Sequence, residues 1–305
     1  MKTALKNILM PTDFSDTGNN VLSIAIELCK QNNAVLHLLH VVESRYIITG
    51  TESGISLPAI ANEIDADARA RLYNIYQSVM RTSGIAVQIH MPTGIPYDEI
   101  CKAADEMPID LIVMGAHGAS GSREFFMGTT AYSVIKNTTK PVLTIPSNYM
   151  QTTFSSILFP VRPVKEIRKK FEYMQSFLLN KNFTQVHVAV LCKNGQEEDL
   201  LANEEELHDI INSLEQNRIT ATKEIYRCRN FATRVLELAG RHAADLIVIN
   251  SSLDYKWTQF FVGPFTQQVV NHSKVPVLSY RNGINVPLEM EKEKERELAK
   301  KRSVG

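Results

Sequence analysis

The chain has 305 residues, and 33 lysines and arginines balance 33 aspartates and glutamates, so its formal net charge is +0. This balance excludes the strong positive field that recruits nucleic acid or an anionic membrane surface. No apolar run approaches the roughly 20 residues that a membrane span needs. The length is enough for about two domains, each with a core of its own.

The N-terminus reads M-K-T-A-L-K-N-I-L-M-P-T-D, and it predicts a first β-strand rather than a signal peptide. Pro11 and Asp13 stand where a signal peptide would continue apolar. The four cysteines are Cys29, Cys101, Cys192 and Cys228. They form no C-x-x-C pair and show no metal-ligand spacing, and Cys29 and Cys101 fall in helical apolar patterns typical of small core residues. This usage favours a reducing, cytoplasmic setting.

Apolar runs alternate with segments of helical periodicity, which is the pattern of a parallel sheet flanked by helices. In the first half, strands are predicted near 6–12, 34–41, 85–91, 109–115 and 141–145. Helices are predicted near 16–32, 58–83, 95–106 and 128–137. The segment Ser44–Leu57 contains I-I-T-G-T-E-S-G-I-S, a composition that predicts a mobile loop between the second strand and the second helix.

The second half repeats the first in degenerate form. F-F-M-G-T-T-A-Y-S-V-I-K-N-T-T-K-P-V-L at 125–143 returns as F-F-V-G-P-F-T-Q-Q-V-V-N-H-S-K-V-P-V-L at 260–278, an offset of 135 residues. K-N-I-L-M-P-T-D at 6–13 matches S-S-I-L-F-P-V-R at 155–162 at an offset of 149, so the second copy is 14 residues shorter. Its strands are predicted near 155–161, 184–191, 219–226, 244–250 and 276–280.

These patterns divide the chain into four parts. The predicted domains are 1–146 and 154–283, with a linker at 147–153 and a charged tail at 284–305. The tail contains L-E-M-E-K-E-K-E-R-E-L-A-K-K-R, a mixed charge run rich in helix formers. It is either a solvated, frayed helix or a partner-binding segment.

One segment of the first half carries the strongest functional signal. Residues 111–129 read L-I-V-M-G-A-H-G-A-S-G-S-R-E-F-F-M-G-T. Glycines after a buried strand let backbone amides approach an anion with no Cβ in the way. A Gly-Thr pair at a helix start adds amides, a hydroxyl and the positive end of the helix dipole. The pattern therefore predicts a polyphosphate site, and the alternative is a tight turn followed by an N-cap.

The spacing G-x2-G-x9-G-[ST], found here at Gly115, Gly118, Gly128 and Thr129, closely resembles the nucleotide-binding motif of the universal stress protein family. The resemblance covers Lys6–Pro146, which opens with N-I-L-M-P-T-D-F-S and closes with A-Y-S-V-I-K-N-T-T-K-P-V-L-T-I-P. It implies an α/β fold of two tandem Rossmann-like (adenine nucleotide alpha hydrolase-like) domains. Each would be a five-stranded parallel sheet of order 3-2-1-4-5 with flanking helices.

The same resemblance implies that the first domain binds ATP, with Mg²⁺ or Mn²⁺ held through the phosphates. In the order 3-2-1-4-5, Asp13 and Gly115 end the two strands that flank the point where strand order reverses, which is where ligands bind in such sheets. Pro11 and Asp13 would contact the nucleoside, with the Asp13 carboxylate accepting from ribose hydroxyls. The alternative is that Asp13 caps the helix that begins near Asp16.

The remaining contacts follow from the same family pattern. The backbone of Val41, or of Val42 if the register is one residue later, would contact adenine. The phosphate cradle would consist of Gly115, Gly118, Gly128 and Thr129. The intervening loop contains Ser120, Ser122 and Arg123. Arg123 either pairs with a phosphate or stays solvated, and His117 is either a base or a local hydrogen-bonding residue. The sequence predicts no catalytic residue and no protein metal ligand.

The second copy departs from the motif at nearly every point. The replacements are Arg162 for Asp13, Asn250 for Gly115, Leu253 for Gly118 and Pro264 for Thr129. Only Gly263, the equivalent of Gly128, is kept. Pro264 lacks the backbone N–H that a phosphate would need. The sequence therefore predicts one ATP site per chain.

The second half is then expected to act as a built-in dimer partner of the first. Each copy ends in a short apolar strand, Pro141–Ile145 or Pro276–Tyr280, and uncovered strands of that kind invite pairing. We expect these two strands to pair with each other. A homodimer of the whole chain through another surface stays possible at this point.

The protein is predicted to be a nucleotide-linked binding module in stress response or signalling. Its expected partner is an unidentified protein, and binding to nucleic acid or to a membrane is not expected. One alternative is a slow ATPase or phosphotransferase that uses the same pocket, although no Walker A motif (G-x-x-x-x-G-K-[ST]) is present. A second alternative is a scaffold or chaperone-like protein with no nucleotide.

Overall fold

A computed structural model describes residues 5–43, 57–117, 128–162, 171, 183–195, 201, 203–250 and 264–280, without the side chains of 16–17 and 57–64. The strands of the first half are β1 (Asn7–Pro11), β2 (Val35–Leu39), β3 (Val42–Glu43), β4 (Val87–His90), β5 (Thr93–Gly94), β6 (Leu111–Gly115) and β7 (Val142–Ile145). Its helices are α1 (Asp16–Asn32), α2 (Leu57–Ser83), α3 (Pro96–Glu106) and α4 (Thr129–Asn137).

The second half repeats this alternation. Its described strands are β8 (Ser156–Val161), β9 (Gln185–Cys192), β10 (Thr220–Arg227), β11 (Leu246–Asn250) and β12 (Val277–Tyr280). Its described helices are α5 (Glu204–Gln216), α6 (Phe231–Arg241) and α7 (Pro264–His272). Every strand predicted from periodicity is present within a few residues of its predicted bounds.

The main strands form one sheet in the order β10-β9-β8-β11-β12-β7-β6-β1-β2-β4. Within each half the pairs are parallel, and the order is 3-2-1-4-5 when the main strands are counted from the start of that half. The predicted fold class is confirmed. The two-residue strands β3 and β5 form a separate parallel pair, which was not predicted because two residues carry no periodic pattern.

Helices cover both faces of the sheet, so successive residues of a strand enter different cores. Ile8 and Met10 of β1 pack with the apolar face of α1, whereas Leu9 between them packs with α3 and α4. All three side chains are at most 2% exposed. Burial on both faces explains why these strands read as continuous apolar runs. Cys29 and Cys101 lie buried in the two cores, as predicted.

The two halves are joined through their last strands. β7 and β12 pair in antiparallel fashion, with Leu143 opposite Leu278 and Thr144 opposite Val277. The Thr144 hydroxyl donates to the Val277 carbonyl at 3.1 Å, inside a buried region. The predicted pairing of the two final strands is confirmed. Among the described helices, none is long and apolar enough to cross a membrane.

The segment between the halves packs closely. Tyr149 is 7% exposed, and its hydroxyl lies 3.2 Å from the Asp245 carbonyl of the second half. Its ring stacks on that of Phe154 with centroids 6.4 Å apart. The bounds of the linker and of the domains stay predictions, but this part of the predicted linker is held against the second half.

Candidate functional site

The carboxyl ends of β1, β2 and β6 meet at one edge of the sheet in the first half. β1 lies between the other two, with Leu9 opposite both His37 of β2 and Ile112 of β6. The chain leaves β1 towards β2 and later returns to β6 on the other side, so strand order reverses here. A crevice forms outside such a reversal point because the two crossover connections diverge.

The turn after β1 is organised by several close contacts. The Thr12 amide donates to the Leu39 carbonyl at 2.8 Å, and the Phe14 amide donates to the Thr12 hydroxyl at 3.1 Å. Phe14 adopts a left-handed backbone with φ of 59°. For a non-glycine residue this conformation costs roughly 1–2 kcal/mol. Stacking of its ring on His40, with centroids 4.2 Å apart, offsets that cost.

Asp13 lies within this turn with an exposed side chain. Its Oδ1 accepts from the Ser15 amide at 3.1 Å and from the Ser15 hydroxyl at 2.6 Å. Ser15, rather than Asp13, is the N-cap residue of α1. Asp13 therefore does not cap α1 directly, although its carboxylate stabilises the approach to that helix. Pro11, the last residue of β1, pairs with Leu39 and is partly buried.

The two valines predicted for the adenine contact have different surroundings at the end of β2. The Val42 amide donates to the Pro92 carbonyl at 2.9 Å, and Val42 pairs with Thr93 in the small second sheet. Val41 lies just past β2, and its side chain is 8% exposed. The amide of Val42 is thus committed to the protein, whereas Val41 lies between β2 and β3.

The end of β6 is connected to the start of α4. The Ala116 amide donates to the Ile145 carbonyl at 2.9 Å, and the Ala116 carbonyl accepts from the Gly128 amide at 2.9 Å. Gly128 is the N-cap residue of α4, and it has no side chain that could cap the helix. The first intrahelical bond runs from Tyr132 to Gly128 at 3.0 Å. The amides of Thr129, Thr130 and Ala131 precede that bond, so they form a helix N-terminus suited to an anion.

This arrangement refines the predicted phosphate cradle. Gly115, Gly128 and Thr129 lie together, because the bond between Ala116 and Gly128 closes the distance between β6 and α4. The Gly128 amide is already used in that bond, so the amides of α4 that have no intrahelical acceptor begin at Thr129. Gly118 lies outside the described residues. The same is true of Ser120, Ser122 and Arg123, and of the predicted loop apart from Leu57.

His117 follows this connection directly. Both its ring nitrogens, Nδ1 and Nε2, are buried and have no hydrogen-bond partner among the described residues. Burial lowers the pKa of the imidazole below its ordinary value. A buried polar atom without a partner loses its hydration and gains nothing in exchange. The sequence left open that His117 forms a local hydrogen bond. Neither of its ring nitrogens forms one with the described residues.

The equivalent edge of the second half has different chemistry. Arg162 follows β8 where Asp13 follows β1, and its guanidinium carbon lies 5.4 Å from the ring centroid of Phe231. Asn250, at the end of β11, is 3% exposed, and α7 begins at Pro264. The described replacements thus occupy the predicted positions. Leu253 and Gly263 lie outside the described residues.

The fold and this edge define a tandem α/β protein of the Rossmann-like type, in which strand order reverses at the carboxyl ends of β1 and β6. The family model described as the universal stress protein family matches residues 4–146 and 173–281. The chain therefore belongs to the universal stress protein family. In the described residues, no group of three or more His, Cys, Asp or Glu side chains is placed to hold a metal ion.

Individual relatives agree with this membership. A universal stress protein of Methanocaldococcus jannaschii is 30% identical over 160 residues, which cover 48% of this chain and 97% of that protein. Universal stress protein YxiE of Bacillus subtilis is 29% identical over 144 residues, covering 45% of this chain and 97% of the relative. The crystal structure of a universal stress protein from Archaeoglobus fulgidus is similar over 92% of this chain and 97% of its own, with a TM-score of 0.69. At 20% identity, that likeness shows the fold alone.

Proposed function

We propose that this protein binds ATP at one site in its first half and acts in stress response or signalling as a nucleotide-linked binding module. The observation that carries the proposal is the bond between Ala116 and Gly128, at 2.9 Å. It holds the uncapped N-terminus of α4 against the end of β6, at the point where strand order reverses. The free amides and the positive end of the dipole of α4, together with the glycine backbone, then face one anionic ligand.

Each part of ATP has a suitable neighbour at this edge. The main chain of Val41 takes adenine, since the amide of Val42 is committed to Pro92. Asp13, two residues after Pro11 in the turn that follows β1, accepts from the ribose hydroxyls with its exposed carboxylate. Thr129 and the next amides of α4 take the phosphates, together with Gly115 and Gly118.

A divalent cation, Mg²⁺ or Mn²⁺, accompanies ATP in this proposal. Hard cations keep several waters and bind mainly through phosphate oxygens, so the site does not need a cage of protein ligands. The cation would be held through the phosphate oxygens, and Thr129 at the start of α4 would supply a hydroxyl beside them. The cation neutralises phosphate charge, and the chain's own amides orient the phosphate chain.

The proposed action follows from the thermodynamic linkage between ATP binding and folding. A ligand that binds only the folded state raises stability by RT ln(1 + [L]/Kd), which is about 2.7 kcal/mol at 100 times Kd. Ordering of the surface around the crevice then changes what an unidentified protein partner can contact. The second half serves as a built-in dimer partner rather than a second site, and the protein acts in the cytoplasm. Further association into a homodimer is compatible with this proposal.

Isothermal titration of the purified chain with ATP and Mg²⁺ tests the proposal, and we expect about one ATP per chain in a saturable isotherm. Two ATP per chain would contradict the assignment to the first half, and no binding would favour a scaffold without nucleotide. Phosphate release measured in the same samples separates a binding module from a slow ATPase. Sustained turnover would favour the enzyme.

The substitution Thr129→Pro removes one amide at the proposed phosphate position and copies Pro264 of the second half. Proline is tolerated at the first position of a helix. The preceding Gly128 already has φ of −56° and ψ of 143°, the extended geometry that a following proline requires. We expect a folded protein with ATP affinity reduced about tenfold or more, the usual size of a lost charge-assisted hydrogen bond.

The matched control is Pro264→Thr, which restores an amide at the equivalent helix start. Because Arg162 and Asn250 still replace the residues of the first half, we expect no second site and unchanged affinity. Equal ATP affinity in wild type and Thr129→Pro would remove the α4 N-terminus from the site.

A further inference from the structure

The ten-stranded sheet ends at two outer strands, β10 and β4, whose surfaces differ in charge. β10 contains Lys223, Glu224 and Arg227, and the Lys223 ammonium pairs with Glu204 of α5. Charged side chains on an outer strand discourage pairing with another chain. β4 reads Val-Gln-Ile-His and has no acidic residue, lysine or arginine. Among the described residues no strand lies on its outer side, so β4 is the edge that is open to pairing.

The hydrogen bonds to β2 show which backbone groups of β4 face outwards. The carbonyls of Ala86 and His90 accept from amides on the β2 side at 2.9 and 3.0 Å. Backbone groups alternate in direction along a strand, so the amides and carbonyls of Val87 and Ile89 point away from β2. These two residues therefore offer donors and acceptors to a further strand.

The surface beside this edge is apolar. Seven large hydrophobic side chains are exposed among the described residues, and three of them lie here: Tyr73 and Met80 on α2, and Ile89 on β4. Tyr73 and Met80 are seven residues apart, which places them on one face of the helix. Tyr73 and Ile89 also line a cavity of about 630 Å³ between α2 and β4, together with Leu72 and Met91. This cavity leaves room beside β4 for the side chains of a partner.

A second copy of the chain fits this edge because β4 is self-complementary. Two strands related by a two-fold axis normal to the sheet run antiparallel, and one residue lies opposite itself. With Gln88 on the axis, Val87 lies opposite Ile89 of the second copy, and these two outward-facing residues exchange both backbone hydrogen bonds. Gln88 is exposed and uncharged, so no like charges meet. The same operation on β10, centred on Lys223 or Glu224, places like charges opposite each other.

We propose that two copies of this protein associate through β4, in antiparallel pairing about a two-fold axis at Gln88, with Tyr73 and Met80 of both α2 helices beside the junction. The two ten-stranded sheets then form one continuous sheet. The antiparallel pairing of β7 with β12 joins the two halves of one chain in the same manner. The surface shares no residue with the proposed ATP site, so failure of one proposal leaves the other intact.

Sedimentation equilibrium of the full chain without nucleotide, at a series of protein concentrations, tests this surface. We expect a reversible equilibrium between monomer and dimer. Gln88→Lys and Gln88→Glu each place like charges opposite each other on the axis, so each should raise the dimer dissociation constant about tenfold or more. An equimolar mixture of the two variants should form a heterodimer, because opposite charges then meet.

Ile225→Lys, at an exposed residue of β10, is the matched control and should dimerise as the wild type does. A wild-type chain that stays monomeric at every concentration overturns the proposal, and so does a dimer that Gln88→Lys leaves intact. A mixture of the two charged variants that stays monomeric overturns the pairing at Gln88.

Gln88→Cys provides a second test that needs no added charge at the edge. Residues opposite each other at such a position have Cα atoms about 4.5 Å apart, which is within the range that a disulfide bridges. With a mild oxidant, we expect a disulfide-linked dimer of this variant that the wild type does not form. The wild type also serves as the control for the native cysteines, of which Cys228 is partly exposed. Absence of the cross-link in the folded variant contradicts the proposed axis.

Discussion

Two buried histidine clusters occupy equivalent places in the two halves, in the middle of the second main strand of each. His37 of β2 bonds to His90 through Nδ1 and to Asn7 Oδ1 through Nε2, both at 3.1 Å. Because Asn7 Oδ1 accepts, Nε2 of His37 donates, and a neutral His37 accepts from His90. His187 of β9 bonds to the Thr222 hydroxyl at 2.7 Å, and its ring lies 4.1 Å from that of His242.

These clusters make the fold sensitive to acid. Burial, and then the neighbouring His90, lowers the pKa of His37. Burial also lowers the pKa of His187, with His242 acting in the same direction and Glu224 against it. The unfolded chain therefore binds more protons than the folded chain at mildly acidic pH. Stability is fully present above the ordinary histidine pKa of about 6.5 and falls as pH drops through the lowered values.

We predict that the urea midpoint of the wild-type chain falls between pH 7 and pH 5, and that His37→Gln reduces this fall. One proton changes the slope by at most about 1.4 kcal/mol per pH unit. Urea unfolding at a series of pH values measures the slope, and His208→Gln, at an exposed histidine on α5, serves as the control. If His37→Gln leaves the dependence of stability on pH unchanged, the His37–His90 pair does not contribute to the acid sensitivity.

At the scale of elements, the segment between the halves acts as a packed connection. The Tyr149 hydroxyl donates to the carbonyl of Asp245, the residue before β11, at 3.2 Å, and the Gln151 side-chain oxygen lies 3.3 Å from the same hydroxyl. Burial and the Asp245 charge raise the pKa of Tyr149, so the phenol stays protonated and can donate. Asp245 also accepts from the Ser155 and Ser156 amides at 2.7 and 3.0 Å, which fixes the start of β8. One region thus ties the connection, β8 and β11 together.

We predict that Tyr149→Phe lowers the free energy of unfolding by about 0.5–1.5 kcal/mol, because it removes the hydroxyl bond and keeps the ring. Tyr73→Phe on α2 is the matched control, since Tyr73 is 51% exposed and its hydroxyl only accepts from Gln77 at the surface, so the change in the free energy of unfolding should be near zero. Chemical denaturation of both variants measures the difference. Equal stability of the two would mean that the bond to Asp245 has no net effect.

At the scale of the whole molecule, the antiparallel pairing of β7 with β12 makes one continuous sheet from two parallel halves. Both strands are buried along their full length. Leu143 and Leu278 are 3% and 2% exposed at this junction. A half on its own would expose an apolar edge strand with unpaired amides and carbonyls, which is a template for pairing with another chain.

We predict that residues 1–146 and 147–283, expressed separately, each self-associate or aggregate, and form a one-to-one complex when mixed. Sedimentation velocity of each half and of the mixture measures this. If both halves are soluble monomers that do not associate when mixed, the pairing of β7 with β12 does not stabilise the chain. The same measurement on the intact chain also determines whether the protein forms a homodimer through a different surface.

Much of the fold was predictable from the sequence because the signals are local. Continuous apolar runs such as Leu111–Met114 require burial on both faces, and α1 begins and ends where its periodic pattern does. The repeat at an offset of 135 residues predicted a second domain of the same kind. Strand order came from resemblance to a family, since periodicity carries no information about which strands are neighbours.

Only the tertiary structure decided the contacts between distant residues. It showed that the Gly128 amide is used by Ala116, that Val42 is committed to Pro92, and that His37 meets His90 across 53 residues of chain. None of these pairs has a sequence signal, because a hydrogen bond depends on where two backbones meet and not on their spacing. The sequence by itself thus determined the elements and the glycine pattern at the candidate site. The packing of those elements decided which amides are left for a ligand and which histidine has no partner.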